Sequence, residues 1–330
     1  MTKKWQDLRI VFMGTPEFAV ASLDALVQAG GNIVGVITAP DKPAGRGLLL
    51  QQSAVKQYAL SKGLFVLQPE KLKNPEFVGA LTALRADLQV VVAFRMLPEI
   101  VWDMPPLGTI NVHASLLPKY RGAAPINWAV INGETETGVT TFKLQHQIDT
   151  GNILLSAVVP IGPDATAGQI HDLLKQKGAE VLLQTVEQLG EGTLEDKPQP
   201  EAGDLLPHAP KLQTDTGRID WDQPIERIYN LIRGLSPYPA AFTQLDGKAL
   251  KIFAARKEAL STAPAENAVP SASADQPVPS PGTPETDGKT YLRFPGKDGF
   301  IYVTDLQLEG KKRMPVVDFL RGYRAPDRLG

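Results

Sequence analysis

Arg9-Ile10-Val11-Phe12-Met13-Gly14-Thr15-Pro16-Glu17 carries a strand, a turn and a helix start in nine residues. A short apolar run reads as a buried strand. Gly14 turns the chain. Thr15 predicts a helix N-cap, with Pro16 at the first helical position and Glu17 in the first turn. The same unit then repeats. Ile33–Thr38 is the next expected strand, and Ser53–Lys62 a helix that stops at Gly63. Phe65–Leu67, Leu88–Phe94 and Thr109–His113 follow as strands with helical stretches between them. Strand–helix alternation of this kind argues for an open parallel sheet with helices on both faces. Val139–Leu144 and Ile153–Ile161 are expected to close the sheet. Ala167–Leu189 has the pattern of an amphipathic helix, with a break expected near Gly178.

From Glu195 to Pro210 the composition shifts to Pro, Glu, Gly and Asp, which predicts a linker between a first domain at 1–194 and a second at 211–330. The second has one helix pattern, Ile225–Arg233. Short strand patterns follow at Ala240–Gln244, Leu250–Ala254, Thr290–Phe294, Gly299–Asp305 and Leu306–Leu308. They predict a small β-barrel of about five strands. Ser261–Gly288 is rich in Pro, Ser and Ala without periodicity and is expected to be a disordered insert.

Composition narrows the function classes. The 330 residues are 43% hydrophobic and 21% charged, an ordinary globular balance, with a formal net charge of −2. With no cysteine, a disulfide framework, a thiol nucleophile and a thiolate metal site are excluded. The first residues lack the apolar core of a signal peptide, and no apolar run approaches the roughly 18 residues that span a membrane. A cytoplasmic protein without a membrane partner is the expectation. Charge divides unevenly: residues 208–330 hold 17 Lys+Arg against 15 Asp+Glu, and four of those acids lie in 261–288, which has no base. A basic second domain points toward a polyanionic partner.

The chemistry concentrates at the end of one expected strand. Asn111 and His113 are two apart and so share a face of it. A turn-rich loop with Pro118, Arg121 and Gly122 follows, and Asp149-Thr150-Gly151 comes after a second apolar run. An amide, an imidazole and a carboxylate that converge would suit transfer at a carbonyl carbon. They supply an oxyanion donor, a proton carrier and an orienting charge. Gly14 is no dinucleotide fingerprint, because G-x-G-x-x-G is missing, so the strand–helix order does not imply NAD.

Asn111-Val112-His113, Ser115-Leu116-Leu117-Pro118, Tyr120-Arg121-Gly122 and Asp149-Thr150-Gly151 together resemble the signature of formyltransferases that use 10-formyltetrahydrofolate. Gly14-Thr15-Pro16-Glu17-Phe18, the loop Pro40–Gly47 and Gly310-Lys311-Lys312-Arg313-Met314 are similar to the methionyl-tRNA branch of that family. The resemblance runs nearly end to end, apart from Ser261–Gly288. It implies an α/β fold, with a Rossmann-like formyltransferase domain followed by an OB-like barrel that holds tRNA. It implies a monomer that needs no metal and transfers a formyl group from folate to initiator Met-tRNA.

By this resemblance Asn111, His113 and Asp149 are the catalytic trio. Phe94, Met96 and Leu97 line a pterin slot, and Ser115, Leu116, Leu117 and Pro118 border the folate. Phe18 helps form a methionine pocket. Lys42 and Arg46 belong to a loop that meets the tRNA acceptor end, and Arg121 lies near folate or RNA backbone. In the barrel Lys211, Lys311, Lys312 and Arg313 are expected phosphate contacts, with Arg218, Arg233, Lys248 and Lys251 as further cations. His146 is expected at the surface or the pocket rim. The chain departs from the usual pattern at Arg95, where glycine is common, and at Gln147-Ile148, where Gly-Leu is common. Two other readings stay open from the residues alone: a formyltransferase acting on glycinamide ribonucleotide or an amino sugar, and a tRNA-binding protein without activity.

Overall fold

The computed structural model describes residues 4–44, 49–200, 206–260 and 280–324. The chain divides into two compact units. The first comprises residues 1–126, 136–161 and 169–210, and the second residues 127–135, 162–168 and 211–330. The second unit therefore draws two short segments from the first two thirds of the chain. The stretch 195–210, expected as a linker, belongs to the first unit. Ala209 bridges Gly122, and Lys197 bridges Ile153.

In chain order the first two thirds run β1 (Ile10–Gly14), α1 (Glu17–Gln28), β2 (Ile33–Ile37), β3 (Lys42–Ala44), β4 (Leu49–Gln51) and α2 (Ala54–Ser61). They continue with β5 (Val66–Leu67), α3 (Pro75–Ala83), β6 (Leu88–Val92), α4 (Glu99–Trp102), β7 (Thr109–His113) and α5 (Pro125–Ile131). β8 (Glu136–Lys143), β9 (Ile153–Pro160) and α6 (Ala167–Glu191) complete the series. One seven-stranded sheet forms, in the order β5-β2-β1-β6-β7-β8-β9. The first five strands are parallel, and β8 and β9 add antiparallel at the β7 edge. β1 and β6 are buried along their whole length, which is why, Gln89 apart, they read as apolar runs rather than as alternation.

Two local expectations shift. Pro16, not Thr15, is the N-cap of α1, with no side-chain bond at that end. α6 does not break at Gly178. A Cβ there would lie 3.2 Å from Val112 Cγ1 and 3.7 Å from Val139 Cγ1, so the glycine lets the helix lie close on the sheet. Glycine inside a helix costs about 1 kcal/mol relative to alanine, and the close packing of the two valines offsets it.

The second unit contains α7 (Ile225–Gly234), β10 (Ala241–Leu245), β11 (Lys248–Ala259), β12 (Glu285–Thr286), β13 (Leu292–Pro295), β14 (Gly299–Leu308), β15 (Met314–Pro315) and α8 (Val316–Leu320). The strands pair antiparallel in the order β10-β11-β14-β13-β12, with β15 also on β14. Gly299–Asp305 and Leu306–Leu308, expected as separate strands, are one ten-residue strand. α7 buries Ile225, Ile228 and Ile232, at helical spacing, in a core with Trp221, Phe294, Ile301 and Phe319. Trp221 stacks on Phe294 with centroids 4.6 Å apart. The insert expected to be disordered through Gly288 needs correction at its end. Glu285 and Thr286 pair with Arg293 and Leu292, and Asp287 Oδ1 caps a turn by accepting from the N–H groups of Lys289, Thr290 and Tyr291. Residues 261–279 lie outside the described part.

Candidate active site

In the first unit, β1 has β2 on one side and β6 on the other, so the chain reverses its direction of travel across the sheet there. Crevices beyond the carboxyl ends of strands at such a switch point are where open α/β sheets bind ligands. A cavity of about 600 Å³ occupies this place. Thr15 and Pro16 follow β1, Ala39, Pro40 and Lys42 follow β2, Glu70 follows β5, and Ala93, Phe94 and Arg95 follow β6; all of them line it. Its volume suits a small-molecule or nucleotide-sized group.

The loops around the cavity are tied together. Gln68 Nε2 donates to Ala39 O and Asp41 Oδ1, both at 2.8 Å, and Lys56 Nζ donates to Asp41 Oδ2 at 2.6 Å. The Lys56 and Gln68 hydrogen bonds hold the Asp41 carboxyl below the usual carboxylate range. Arg95 donates to Glu70 O at 2.8 Å and to Pro69 O, and its guanidinium lies 5.4 Å from the Phe94 ring centroid. Burial pushes the Arg95 guanidinium below its ordinary pKa. Arg95 is thus a brace between the loops after β5 and β6.

β7 carries Asn111 and His113 to the same edge. Val92 of β6 pairs with Val112, so His113 leaves the sheet beside Ala93. His113 is buried, and its Nε2 lies 2.9 Å from Tyr120 O. A carbonyl only accepts, so Nε2 carries a proton and, in the neutral ring, Nδ1 bears the lone pair. Nδ1 faces Asp149 Oδ2 at 3.8 Å. Asp149 Oδ2 also accepts from Gly122 N at 2.9 Å. Asp149 sits at φ +54°, a left-handed conformation that Asp tolerates better than most residues. Gly151 makes the turn possible: a Cβ there would lie 1.6 Å from Lys143 O.

The other expected site residues separate into groups. Phe94 is half-buried on the cavity wall, and Lys42 is exposed on it. Met96 is 74% exposed. The Leu97 side chain is buried in a core cluster with Val11, Met13 and Val91, so any share it has in the expected slot is through its backbone groups. Ser115 is fully buried, with Oγ donating to Lys119 O, and Leu117 is buried with its N–H on Thr140 Oγ1. Both residues are fixed within the loop after β7. Leu116 packs over Gly138, where a Cβ would come within 2.4 Å of it, and Pro118 is half-buried. Phe18 is buried against α6, its ring 5.3 Å from that of His171. Arg121 is half-buried and donates to Gln199 Oε1 at 2.5 and 3.2 Å. Arg46 lies outside the described residues. His146 is exposed, 3.3 Å from Glu99 Oε1.

In the second unit Lys211, Lys311 and Lys312 are exposed. Arg313 is engaged, bonding Asp305 Oδ2 at 2.5 and 2.8 Å with its guanidinium 4.3 Å from the Phe253 ring centroid. Arg233 is 6% exposed and bonds Asn230 Oδ1 and Ala165 O, which removes it from the candidate phosphate contacts.

The formyl transferase family profile matches residues 8–186, and the profile of the formyl transferase C-terminal domain matches residues 211–324. A methionyl-tRNA formyltransferase of Parabacteroides distasonis is 56% identical over 97% of both chains. The chain belongs to the methionyl-tRNA formyltransferase family. A Bacteroides fragilis methionyl-tRNA formyltransferase is 53% identical to it, over 97% of this chain and 96% of the relative. Among solved structures, the sugar 3N-formyl transferase WlaRD aligns with this formyltransferase at TM-score 0.63 and 19% identity, covering 92% of this chain and 99% of that one. HypX from Aquifex aeolicus, crystallised with tetrahydrofolic acid, aligns at TM-score 0.62 and 19% identity, over 95% of this chain and 47% of its own length. At that identity the two structures speak for the fold alone.

Proposed function

We propose that this formyltransferase moves the formyl group of 10-formyltetrahydrofolate to the α-amine of methionine esterified to initiator tRNA. The single observation that carries the mechanism is the His113–Asp149 pair beside Asn111, at the carboxyl edge of the sheet. The family membership carries the choice of substrates.

The folate supplies an activated carbonyl carbon and a leaving nitrogen. The acceptor amine, when neutral, needs no protein nucleophile. Asn111 Nδ2 donates a hydrogen bond to the formyl oxygen as that oxygen gains negative charge. One donor of this kind typically lowers the barrier by about 2.7–4 kcal/mol. His113 Nδ1 accepts the proton that the amine sheds as the new C–N bond forms. Asp149 balances the resulting imidazolium, and Tyr120 O keeps the Nε2 proton in place. His113 then returns the proton to N10 of the folate as the old C–N bond breaks.

Phe94 and the loop that Arg95 braces offer the pterin a flat, partly apolar wall, and Lys42 faces the cavity from the loop assigned to the acceptor end. Lys211, Lys311 and Lys312, with Arg218, Lys248 and Lys251, are exposed cations proposed to meet phosphates. Acceptor and donor both point to the cytoplasm, where charged tRNA is used. Among the described residues no helix is long and apolar enough to cross a membrane.

The test is transfer of labelled formyl to charged initiator Met-tRNA, with charged elongator Met-tRNA and glycinamide ribonucleotide in parallel. Rapid transfer to initiator Met-tRNA alone is expected. Transfer to the ribonucleotide would overturn the acceptor assignment, and no transfer to any acceptor would favour a binding role.

A further inference from the structure

We propose that Gln199 and Arg121 form a clamp that sets the position of the Asp149 carboxylate, so that both are positioning residues for formyl transfer. The proposal rests on the catalytic reading of Asp149 given above. It gives a function to a segment whose sequence looked like a linker and reassigns Arg121 away from contact with folate or RNA.

The geometry is a closed ring of three segments. Gln199 Nε2 donates to Asp149 O at 2.9 Å and to Gly151 O at 2.8 Å. Its Oε1 accepts twice from Arg121. The next residue, Gly122, donates its N–H to Asp149 Oδ2 at 2.9 Å. The amide orientation is forced: turned over, the Gln199 oxygen would face two carbonyls and its NH₂ would face a guanidinium. Asp149 is thus held by its backbone through Gln199 and by its side chain through Gly122. Arg121 joins the two holds.

The ring is anchored on both sides. Ala209 N donates to Arg121 O at 2.9 Å, Ala123 N donates to Ala209 O at 2.7 Å, and Lys197 exchanges backbone bonds with Ile153 at 2.7 and 2.8 Å. Gly122 has φ +123°, and a Cβ there would come within 2.5 Å of Ala209 O, so the close approach needs glycine. A left-handed Asp149 has no helix or strand to hold it, and the clamp supplies the missing constraint. Misplacement of a reacting group by about 1 Å can cost on the order of 100-fold in rate.

Gln199→Leu, Gln199→Glu, Arg121→Met and the double variant Arg121→Met/Gln199→Leu are compared with the wild-type chain. Formyl transfer is measured under saturating folate and Met-tRNA, along with KM for each and the salt dependence of tRNA binding. Gln199→Glu is nearly isosteric and still accepts from Arg121, so it guards against a folding artefact while losing both donations. Each single variant is expected to lose kcat by about 10- to 100-fold, with KM and the salt slope little changed. The double variant is expected to be no worse than the weaker single, because one ring is broken once. Wild-type kcat in Gln199→Glu would overturn the clamp. So would an Arg121→Met defect confined to tRNA KM with a salt slope lowered by about 0.7–0.9, the mark of a lost phosphate contact. Absence of transfer by the wild-type chain would instead overturn the function on which the clamp rests.

Discussion

His113 Nδ1 and Asp149 Oδ2 stand 3.8 Å apart. The separation is too long for a direct hydrogen bond and short enough for one bridging atom to serve both. With Nε2 committed to Tyr120 O, Nδ1 is the ring atom free to take up a proton, and the carboxylate lies where the resulting charge needs a partner.

Asn111 has a different task, and its removal separates the two. Asn111→Ala should lower kcat by about 100- to 1,000-fold, the usual effect of losing one oxyanion donor. Steady-state kinetics should show this with tRNA binding retained, whereas a pure KM defect would assign Asn111 to binding.

Gly151→Ala tests the backbone of the carboxylate loop. The new methyl would meet Lys143 O at 1.6 Å, so the loop must move. A loss of roughly 2 kcal/mol or more is expected in denaturant unfolding, with a matching fall in kcat. Wild-type stability with wild-type turnover would show that the loop tolerates a different path.

The basic residues of the second unit fall into two kinds. Lys311→Ala and Lys312→Ala should each weaken Met-tRNA binding and reduce the salt slope by about 0.7–0.9 if the lysine meets a phosphate. Arg313→Ala should leave the slope unchanged and lower stability by about 1 kcal/mol, because Asp305 and Phe253 already engage the guanidinium. A salt titration of binding distinguishes them. Point substitution is the right tool, since residues 127–135 and 162–168 pack within the second unit and truncation near residue 208 would strip their partners.

Tyr229 gives a pH prediction. Burial, and then its hydrogen bond to Asp164 Oδ1 at 2.8 Å, push the phenol up to about 12. A raised pKa in the folded state favours the neutral phenol. Its contribution is complete below the ordinary tyrosine value of about 10 and is lost as pH rises toward the folded value. Denaturant unfolding should show a fall in stability over that alkaline window. Tyr229→Phe should reduce the fall, leaving the part that Tyr58, likewise raised by burial and its bond to Asp24, contributes, and lower stability at neutral pH by about 1 kcal/mol. An unchanged alkaline profile in the variant would place the titration elsewhere.

The parallel sheet was legible because β1, β2 and β6 are short, mostly apolar segments with turn signals at their ends. The shared face of Asn111 and His113 was legible because a period of two fixes them together. What could not be read was set by distant partners. Gln199 sits in a polar, proline-flanked stretch whose order comes from Gly122, Asp149 and Ile153, far away in sequence. Arg233 looks like a surface cation until Asn230 and Ala165 O close over it. β14 looked like two strands because Asp305 interrupts its apolar pattern, and Arg313, eight residues on, is what compensates that charge. The hairpin of β3 and β4 has too few apolar residues to announce itself among prolines and glycines.

The most direct test of the account is single-turnover formyl transfer with enzyme in excess over charged initiator Met-tRNA, comparing wild type with Asp149→Asn. The amide keeps the size of the carboxyl and removes the charge that balances His113. A chemical step slowed by about 100-fold or more, with the Kd for Met-tRNA unchanged, is the predicted result. Transfer by Asp149→Asn at the wild-type rate would contradict the mechanism.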